Sequence, residues 1–445
     1  MKLSSLQQYS VVTANYWAFT LTDGALRILV VGHFHELGYS TLQIALLFLF
    51  YEFFGIITNL FGGWIGARYG LRLTLWLGTI LQILALFMLI PVKENWSIIF
   101  SVSYVMLAQA LSGVAKDLNK MSAKSAVKSI VPDSEENNQN SQKQLFKWVS
   151  ILTGSKNALK GVGFFLGGLL YKLLGFNNAV GIMGLGLCFA FFLTLCLPKD
   201  SGKMKRKPIF KDLYSKSKGI NILSSARFFL FGARDVWFVV ALPVFLDISF
   251  GWDYLKIGLF LGGWIIIYGF FQVLAPLLRK VWGKNNSPTK TTVQFWGLIL
   301  TVIPLFIAGA LNGDKSLGPV IVIGLIIFGF IFAMNSSTHS YLILAYSDNE
   351  KVSLNVGYYY MANAAGRLFG TLLSGLLFML GKNATIGMQY CLYTSSILIF
   401  IAWLTSSNYL PILPTASIDF FKISPFKGTK PKAGALSWYS SLSNL

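Results

Sequence analysis

Apolar runs of about twenty residues recur twelve times along this chain, and nothing else restricts its fold as much. A helix needs roughly 20 such residues to cross the hydrocarbon of a bilayer. The candidate spans are about 12–33, 42–66, 73–91, 97–117, 147–173, 178–197, 221–246, 254–278, 292–311, 318–342, 353–380 and 384–406. With their connections they use nearly all of the 445 residues, which leaves no room for a sizeable soluble domain. Composition agrees, because only 12% of residues are charged, against about 25% in soluble domains. The reading is an all-α membrane protein. No small-residue cleavage site follows a short apolar core near the N-terminus, so the first span is expected to be an uncleaved anchor.

The net charge is +20. In a soluble protein that would suggest nucleic acid, but the basic runs lack the aromatic interleaving of a nucleic-acid module. Cytoplasmic loops of membrane proteins gather Lys and Arg, and that rule accounts for the charge. Residues 199–220, between the sixth and seventh spans, hold eight Lys or Arg between Lys199 and Lys218 against Asp200 and Asp212. With both termini and this linker inside, 26 Lys and Arg are cytoplasmic, five (Lys93, Lys172, Lys256, Lys315, Lys382) are external and six lie in the membrane. The expected organisation is a six-helix half at 1–198, the linker at 199–220, a second six-helix half at 221–408 and a cytoplasmic tail at 409–445. Residues 134–144 read as a polar loop of low complexity. The location expected is a plasma membrane, the inner membrane in a bacterium, in contact with lipid.

The halves are related in sequence. Gly38-Tyr39-Ser40-Thr41-Leu42-Gln43-Ile44-Ala45-Leu46 aligns with Gly251-Trp252-Asp253-Tyr254-Leu255-Lys256-Ile257-Gly258-Leu259, and Lys160-Gly161-Val162-Gly163-Phe164-Phe165-Leu166-Gly167-Gly168 with Arg367-Leu368-Phe369-Gly370-Thr371-Leu372-Leu373-Ser374-Gly375. Two matches in the same order at similar offsets indicate duplication. Parallel six-plus-six repeats are the major facilitator architecture. Gly63-Trp64-Ile65-Gly66-Ala67-Arg68-Tyr69-Gly70-Leu71-Arg72 resembles that superfamily's Gly-x-x-x-Asp-Arg-x-Gly-Arg-Arg/Lys signature. It departs where Ala67 replaces the acid and Leu71 replaces an Arg. A basic turn reaching for headgroups would explain Arg68 and Arg72 almost as well.

Six bases lie within the membrane rather than at the ends of the spans: Arg27, Lys156, Lys160, Arg227, Arg234 and Arg367. Charges at that depth are costly and mark a wet cavity or a ligand. Arg27 and Arg234 occupy the first and seventh spans, and Lys160 and Arg367 the fifth and eleventh, equivalent helices of the two repeats. Lys156 and Lys160 share a face at i,i+4, where like charges repel unless an anion lies between them. Arg227, nearer its helix end, reads as snorkelling to the interface. The acids are Asp23, Glu52 and Asp235. Asp23 can pair with Arg27 one turn away, whereas Asp235 points about 100° from Arg234 and is the poorer partner. Asp23 and Glu52 are either counter-ions or proton carriers. Bases outnumber acids, so the simplest ligand is a polyanion, and Arg suits bidentate phosphate binding. Asn59, Gln109, Asn157, His339 and Asn363 are expected to make interhelical hydrogen bonds, and His33 and His35 to sit at an interface.

Cys188, Cys196 and Cys391 have no paired spacing, so neither metal nor disulfide is expected. No Gly-x-Ser-x-Gly or His-Glu-x-x-His occurs, and no enzyme or cofactor is expected. Four strings resemble the ArsJ organoarsenical efflux permeases: Asn15-Tyr16-Trp17-Ala18 with Val31-Gly32-His33-Phe34-His35-Glu36; Ala110-Leu111-Ser112-Gly113-Val114-Ala115-Lys116-Asp117-Leu118-Asn119-Lys120; Leu152-Thr153-Gly154-Ser155-Lys156-Asn157-Ala158-Leu159-Lys160-Gly161; and Phe229-Leu230-Phe231-Gly232-Ala233-Arg234-Asp235-Val236-Trp237. The likeness covers most of Asn15 to about Ser407. It implies export of 1-arseno-3-phosphoglycerate, the ester that glyceraldehyde-3-phosphate dehydrogenase makes from arsenate, and so arsenate resistance. The substrate-binding residues expected from the charge pattern are Arg27, Lys156, Lys160, Arg234 and Arg367. A facilitator of another organic phosphate or organic anion would need the same cavity.

Overall fold

The computed structural model describes residues 3–38, 47, 49–93, 95–131, 138–198, 208–209, 212, 217–252, 254–283, 287–311, 317–348 and 351–409. The described residues are helical, without strands. The helices are α1 (Ser5–Glu36), α2 (Leu49–Tyr69), α3 (Leu71–Leu89), α4 (Ile98–Ile130), α5 (Asn138–Thr194), α6 (Lys218–Phe238), α7 (Ala241–Phe250), α8 (Tyr254–Val281), α9 (Lys290–Ala310), α10 (Leu317–Ala345), α11 (Val352–Met379) and α12 (Ala384–Tyr409). α5 contains two spans, broken at Gly175, whose φ of 72° turns the chain; a side chain there would strain against its own backbone. α6 and α7 together make the seventh span, separated only by Val239 and Val240. Among the described residues, eight stretches are long and apolar enough to cross a membrane by length and composition.

Two boundaries differ from expectation. α4 continues to Ile130, beyond the end of its span expected near residue 117, and α5 begins at Asn138, so residues 138–144 are helix rather than loop. Hydropathy marks where lipid contact ends, whereas a helix continues while its residues favour it. Lys116 to Ser129 holds four Lys and two Ala with no Gly or Pro, and Lys and Ala are good helix formers. Residues 199–207 of the linker and the tail from residue 410 lie outside the described residues.

Polar contacts gather at the end of the bundle that holds Thr194 and Lys218, called here the linker end. Tyr9 donates to the Trp148 carbonyl (3.0 Å), Arg72 Nη1 to the Leu197 carbonyl (2.7 Å) and Trp64 to the Pro208 carbonyl (3.2 Å). α1 packs along α5, α6 along α11, α2 against α11, and α5 against α8. Large apolar side chains such as Leu185, Phe189, Phe192 and Phe306 are exposed on the outer faces, as lipid contact requires.

Candidate functional site

Two glycine seams hold the buried charges in place. On α1 and α5, a Cβ on Gly24 would stand 2.6 Å from the Lys160 carbonyl, and one on Gly167 would stand 2.5 Å from that of Ala25. The absence of side chains lets these helices touch backbone to backbone, which sets Asp23 and Arg27 beside Lys160. On α6 and α11, Cβ atoms on Gly366 and Gly370 would collide with the carbonyls of Phe228 and Gly232. That seam sets Arg234 and Asp235 beside Arg367.

At the first seam the Asp23 carboxylate accepts a hydrogen bond from the Tyr51 hydroxyl of α2 and faces Lys160 Nζ at 4.0 Å. Tyr51 is also where two cations converge: the Arg27 guanidinium lies 5.1 Å from its ring centroid and Lys116 Nζ 3.8 Å. The expected Asp23–Arg27 ion pair does not form, because the one-turn spacing is met instead by Tyr51 standing between helices. Lys156 donates weakly to Asn157 (3.4 Å), whose amide reaches Gln272 of α8 at 2.5 Å.

At the second seam Asp235 is fully buried and bridges two arginines. Arg234 Nε and Nη2 lie 2.6 and 2.5 Å from Oδ1, and Arg367 Nε donates to Oδ2 at 2.9 Å. Arg234 is therefore a good partner for its neighbour, contrary to the expectation from helix geometry. Adjacent Cβ vectors diverge by about 100°, but the long Arg side chain curls back to meet a carboxylate aimed at α11. The side chains of Arg234, Lys160 and Arg367 are 16%, 20% and 31% exposed, so these cations reach accessible space rather than closing entirely on themselves.

The extension of α4 adds charges assigned on sequence to a cytoplasmic loop. Lys116, Lys120 and Lys124 recur at four-residue spacing on one helix, which aligns them on one face. Lys120 pairs with Asp117, a buried acid that hydropathy alone did not place in the bundle. Lys120 and Lys124 Nζ stand 4.6 and 5.3 Å from the Tyr360 ring of α11. Lys156 lies within electrostatic reach of Lys116, Lys120, Asp23 and Arg367. Arg227 does not snorkel: it is 3% exposed, and it donates from Nε to Asn363 (3.0 Å) and from Nη1 to Ser336 (3.1 Å). Those partners, on α11 and α10, lie too far along the chain for a hydropathy argument to find.

The remaining candidates fall elsewhere. The side chains of Glu52 and His35 lie outside the described residues. Asn157 and Asn363 bond across helices, while Asn59 donates to Gly55 of its own helix and Gln109 Nε2 and His339 Nδ1 lack partners. His33 stacks on Phe176 at the far end from the linker, beside a groove of about 1000 Å³ lined by Lys93, Lys172 and Asn95, among others. Arg72 bonds to the chain rather than reaching for headgroups, and Arg68 lies 5.1 Å from the Trp64 ring. Ala67, where the signature has an acid, is buried against Leu354. Next to it Ser353 Oγ donates to the Gly63 carbonyl (2.9 Å), tying α2 to α11 at the linker end. Among the described residues no cluster of His, Cys, Asp or Glu could hold a metal ion.

The fold has solved counterparts. The human organic anion transporter MFSD10 (TETRAN) is 15% identical, with a TM-score of 0.69 over 91% of this chain and all of that one. A bacterial homologue of the iron transporter ferroportin in an outward-facing state is 13% identical, with a TM-score of 0.70 over 90% of this chain and 99% of that one. The proton:xylose symporter XylE bound to 6-bromo-6-deoxy-D-glucose is 13% identical, with a TM-score of 0.70 over 92% of this chain and 96% of that one. No curated protein sequence matches the chain. Residues 11–289, more than half of the chain, match the family model of the Major Facilitator Superfamily. The all-helical bundle, its apolar outer faces and that match together identify the chain as a multi-pass membrane transporter, not an enzyme: it belongs to the Major Facilitator Superfamily.

Proposed function

We propose that this transporter exports a small, multiply charged oxyanion ester by alternating access, and that the ester is an organoarsenical phosphate such as 1-arseno-3-phosphoglycerate. One observation carries the reading: the bases converging on the two seams outnumber the described acids among them, Asp23, Asp117 and Asp235. Buried cations in excess call for anionic ligand, and two arginines with a phosphate-matching fork supply directional donors. Arg27, Lys156, Lys160, Arg234 and Arg367 form the binding surface, with a tetrahedral oxyanion against each seam.

In this reading residues 1–198 and 221–408 rock about the site, both termini face the cytoplasm and the membrane is the plasma membrane. The linker end is then the cytoplasmic end. The Ser353–Gly63 contact ties α2 to α11 there, while among the described residues α1 does not pack along α6 or α7. That combination supports an outward-facing state. Glyceraldehyde-3-phosphate dehydrogenase supplies the substrate. A ligand carrying about three negative charges gains ~7 kcal/mol from 100 mV inside negative, at ~2.3 kcal/mol per charge. Potential-driven uniport is therefore sufficient.

Arsenate resistance in a sensitive host tests the reading, with and without the co-expressed dehydrogenase. Resistance that requires the dehydrogenase identifies the ester; resistance without it points to free arsenate, and no resistance removes arsenic from the function. A second reading, export of another organic phosphate, is favoured by the chemistry of the site. Its cations bind phosphate and arsenate oxygens alike, and Cys391 is engaged with the Ser374 carbonyl. Competition by 3-phosphoglycerate without arsenate would support it.

A further inference from the structure

Lys124 is 2% exposed and its ammonium has no hydrogen-bond partner among the described residues. Its Nζ stands 5.3 Å from the Tyr360 ring, while the Arg227 guanidinium of α6 stands 5.1 Å from the ring of the adjacent Tyr359; the charged groups within its electrostatic reach among the described residues are bases, Arg227, Lys156 and Lys120. Two more buried polar atoms around Arg227 are unpartnered. One is the hydroxyl of Tyr359, whose ring centroid lies 5.1 Å from the guanidinium; the other is Nδ1 of His339, which lies within the field of Arg227. Like charges buried together without a counter-ion are strongly unfavourable. Lys124 of α4 and Arg227 of α6 both stand against the Tyr359–Tyr360 pair of α11, which gathers donors from three helices as an oxyanion would need.

This group is displaced from the central cations. Arg227 precedes Arg234 by seven residues on α6, and Lys124 follows Lys116 by eight on α4. At about 1.5 Å per residue both steps run about 10–12 Å toward the linker end. Lys120, over the same Tyr360 ring, stands between the two levels.

We infer that Lys124 and Arg227, with the Tyr359 hydroxyl, form an inner oxyanion site, which receives a phosphate or arsenate head group from the cytoplasm before Lys120 and Lys116 pass it to the central site. The inference rests on the reading that this chain moves an oxyanion outward. In the state described here the Ser353–Gly63 contact closes the route outside it. The site has a specific kinetic meaning: it sets the concentration at which the anion is captured, not the rate at which the loaded carrier turns over.

Inverted vesicles expose the cytoplasmic face, and glyceraldehyde-3-phosphate dehydrogenase with its substrate, NAD and arsenate can generate the ester outside them. Lys124→Gln and Lys124→Met should raise the KM for arsenic uptake at least tenfold while leaving kcat within twofold, and Lys124→Arg should restore the KM. Lys124→Met also removes an unpaired buried charge, so it should fold and melt no lower than the parent. A KM within twofold of the parent in the Gln and Met variants, or a fall in kcat alone, overturns the inner site. If the parent vesicles take up no arsenic, the arsenical reading itself fails. Binding of inorganic phosphate to the purified parent and Lys124→Met protein then decides the inner site: tenfold weaker binding by the variant supports it, and equal or absent binding overturns it.

Discussion

The two glycine seams are built alike and charged differently. Each brings two helices to backbone contact and places an aspartate beside cations from both. Asp235 is fully buried and saturated, with an arginine fork on one oxygen and a second arginine on the other. Asp23 is held by one tyrosine hydroxyl and a lysine at 4.0 Å. A guanidinium cannot deprotonate and its donors are fixed in a plane, whereas an ammonium is a mobile point charge. The α6–α11 seam is therefore a rigid anchor and the α1–α5 seam an adjustable one. A carrier that binds an anion and then releases it needs both.

The largest effect that separates them is on stability. Removing one partner of a buried ion pair costs about 3–5 kcal/mol, because the other charge is left uncompensated. Asp235→Asn strands two arginines, so the purified variant should lose that much, read as a large fall in melting temperature and folded yield. Asp23→Asn loses one hydrogen bond to a charged group, about 1.5–3 kcal/mol, with the amide still able to accept from Tyr51; its loss should fall at or below the low end of that range. Equal losses at the two aspartates would break the comparison.

Transport gives the next largest effect. Arg27→Gln and Arg234→Gln should each abolish export while the protein remains in the membrane, measured as arsenic efflux against immunodetected yield. Retention of near-normal efflux by both variants would remove the cationic site from the mechanism. A loss confined to Arg234→Gln would leave the anchor alone as the binding element.

Much of this was legible in the chain. The recurrence of apolar runs determines an all-helical membrane fold, and unusual charges at matched depths point to Arg27, Lys160, Arg234 and Arg367. The misreadings have physical causes. Lys120 and Lys124 fall beyond the fourth span because lysines end a hydropathy window, although the four-residue spacing that they share with Lys116 and the lack of a breaker before Pro132 signal a continuing helix. Arg227 read as snorkelling because its partners Ser336 and Asn363 come from helices more than 100 residues away. Asp235 was discounted by treating side chains as fixed vectors, which a long arginine is not. Where Ala67 departs from the signature's acid, a serine hydroxyl and an apolar contact tie α2 to α11 instead.

The seams themselves can be probed with single methyl groups. A Cβ on Gly24 would meet the Lys160 carbonyl at 2.6 Å, while Gly168 on the same α5 has nothing within 4 Å. Overpacking of a close contact costs about 1–3 kcal/mol. Gly24→Ala should lose that amount and reduce export by separating Asp23 from Lys160, whereas Gly168→Ala should stay within about 0.5 kcal/mol of the parent, as surface changes do. A tolerated Gly24→Ala would mean that α1 and α5 slide freely, and the adjustable seam would owe nothing to close packing.

A modest effect is expected at Tyr51, and it bears on what the adjustable seam is for. Its hydroxyl holds Asp23 while its ring faces Arg27 and Lys116. Tyr51→Phe keeps the ring contacts and removes one bond to a carboxylate that retains Lys160, so a loss of ~1.5 kcal/mol is expected, with a few-fold slower export. If Asp23 is only a counter-ion, uptake into inverted vesicles at zero potential should ignore an imposed pH gradient in the parent and in Tyr51→Phe alike. A gradient-driven component that Asp23→Asn removes would make Asp23 a proton carrier. The loose coordination at the first seam would then be the coupling device, and the saturated Asp235 could not substitute for it, because both of its oxygens are already occupied by permanent cations.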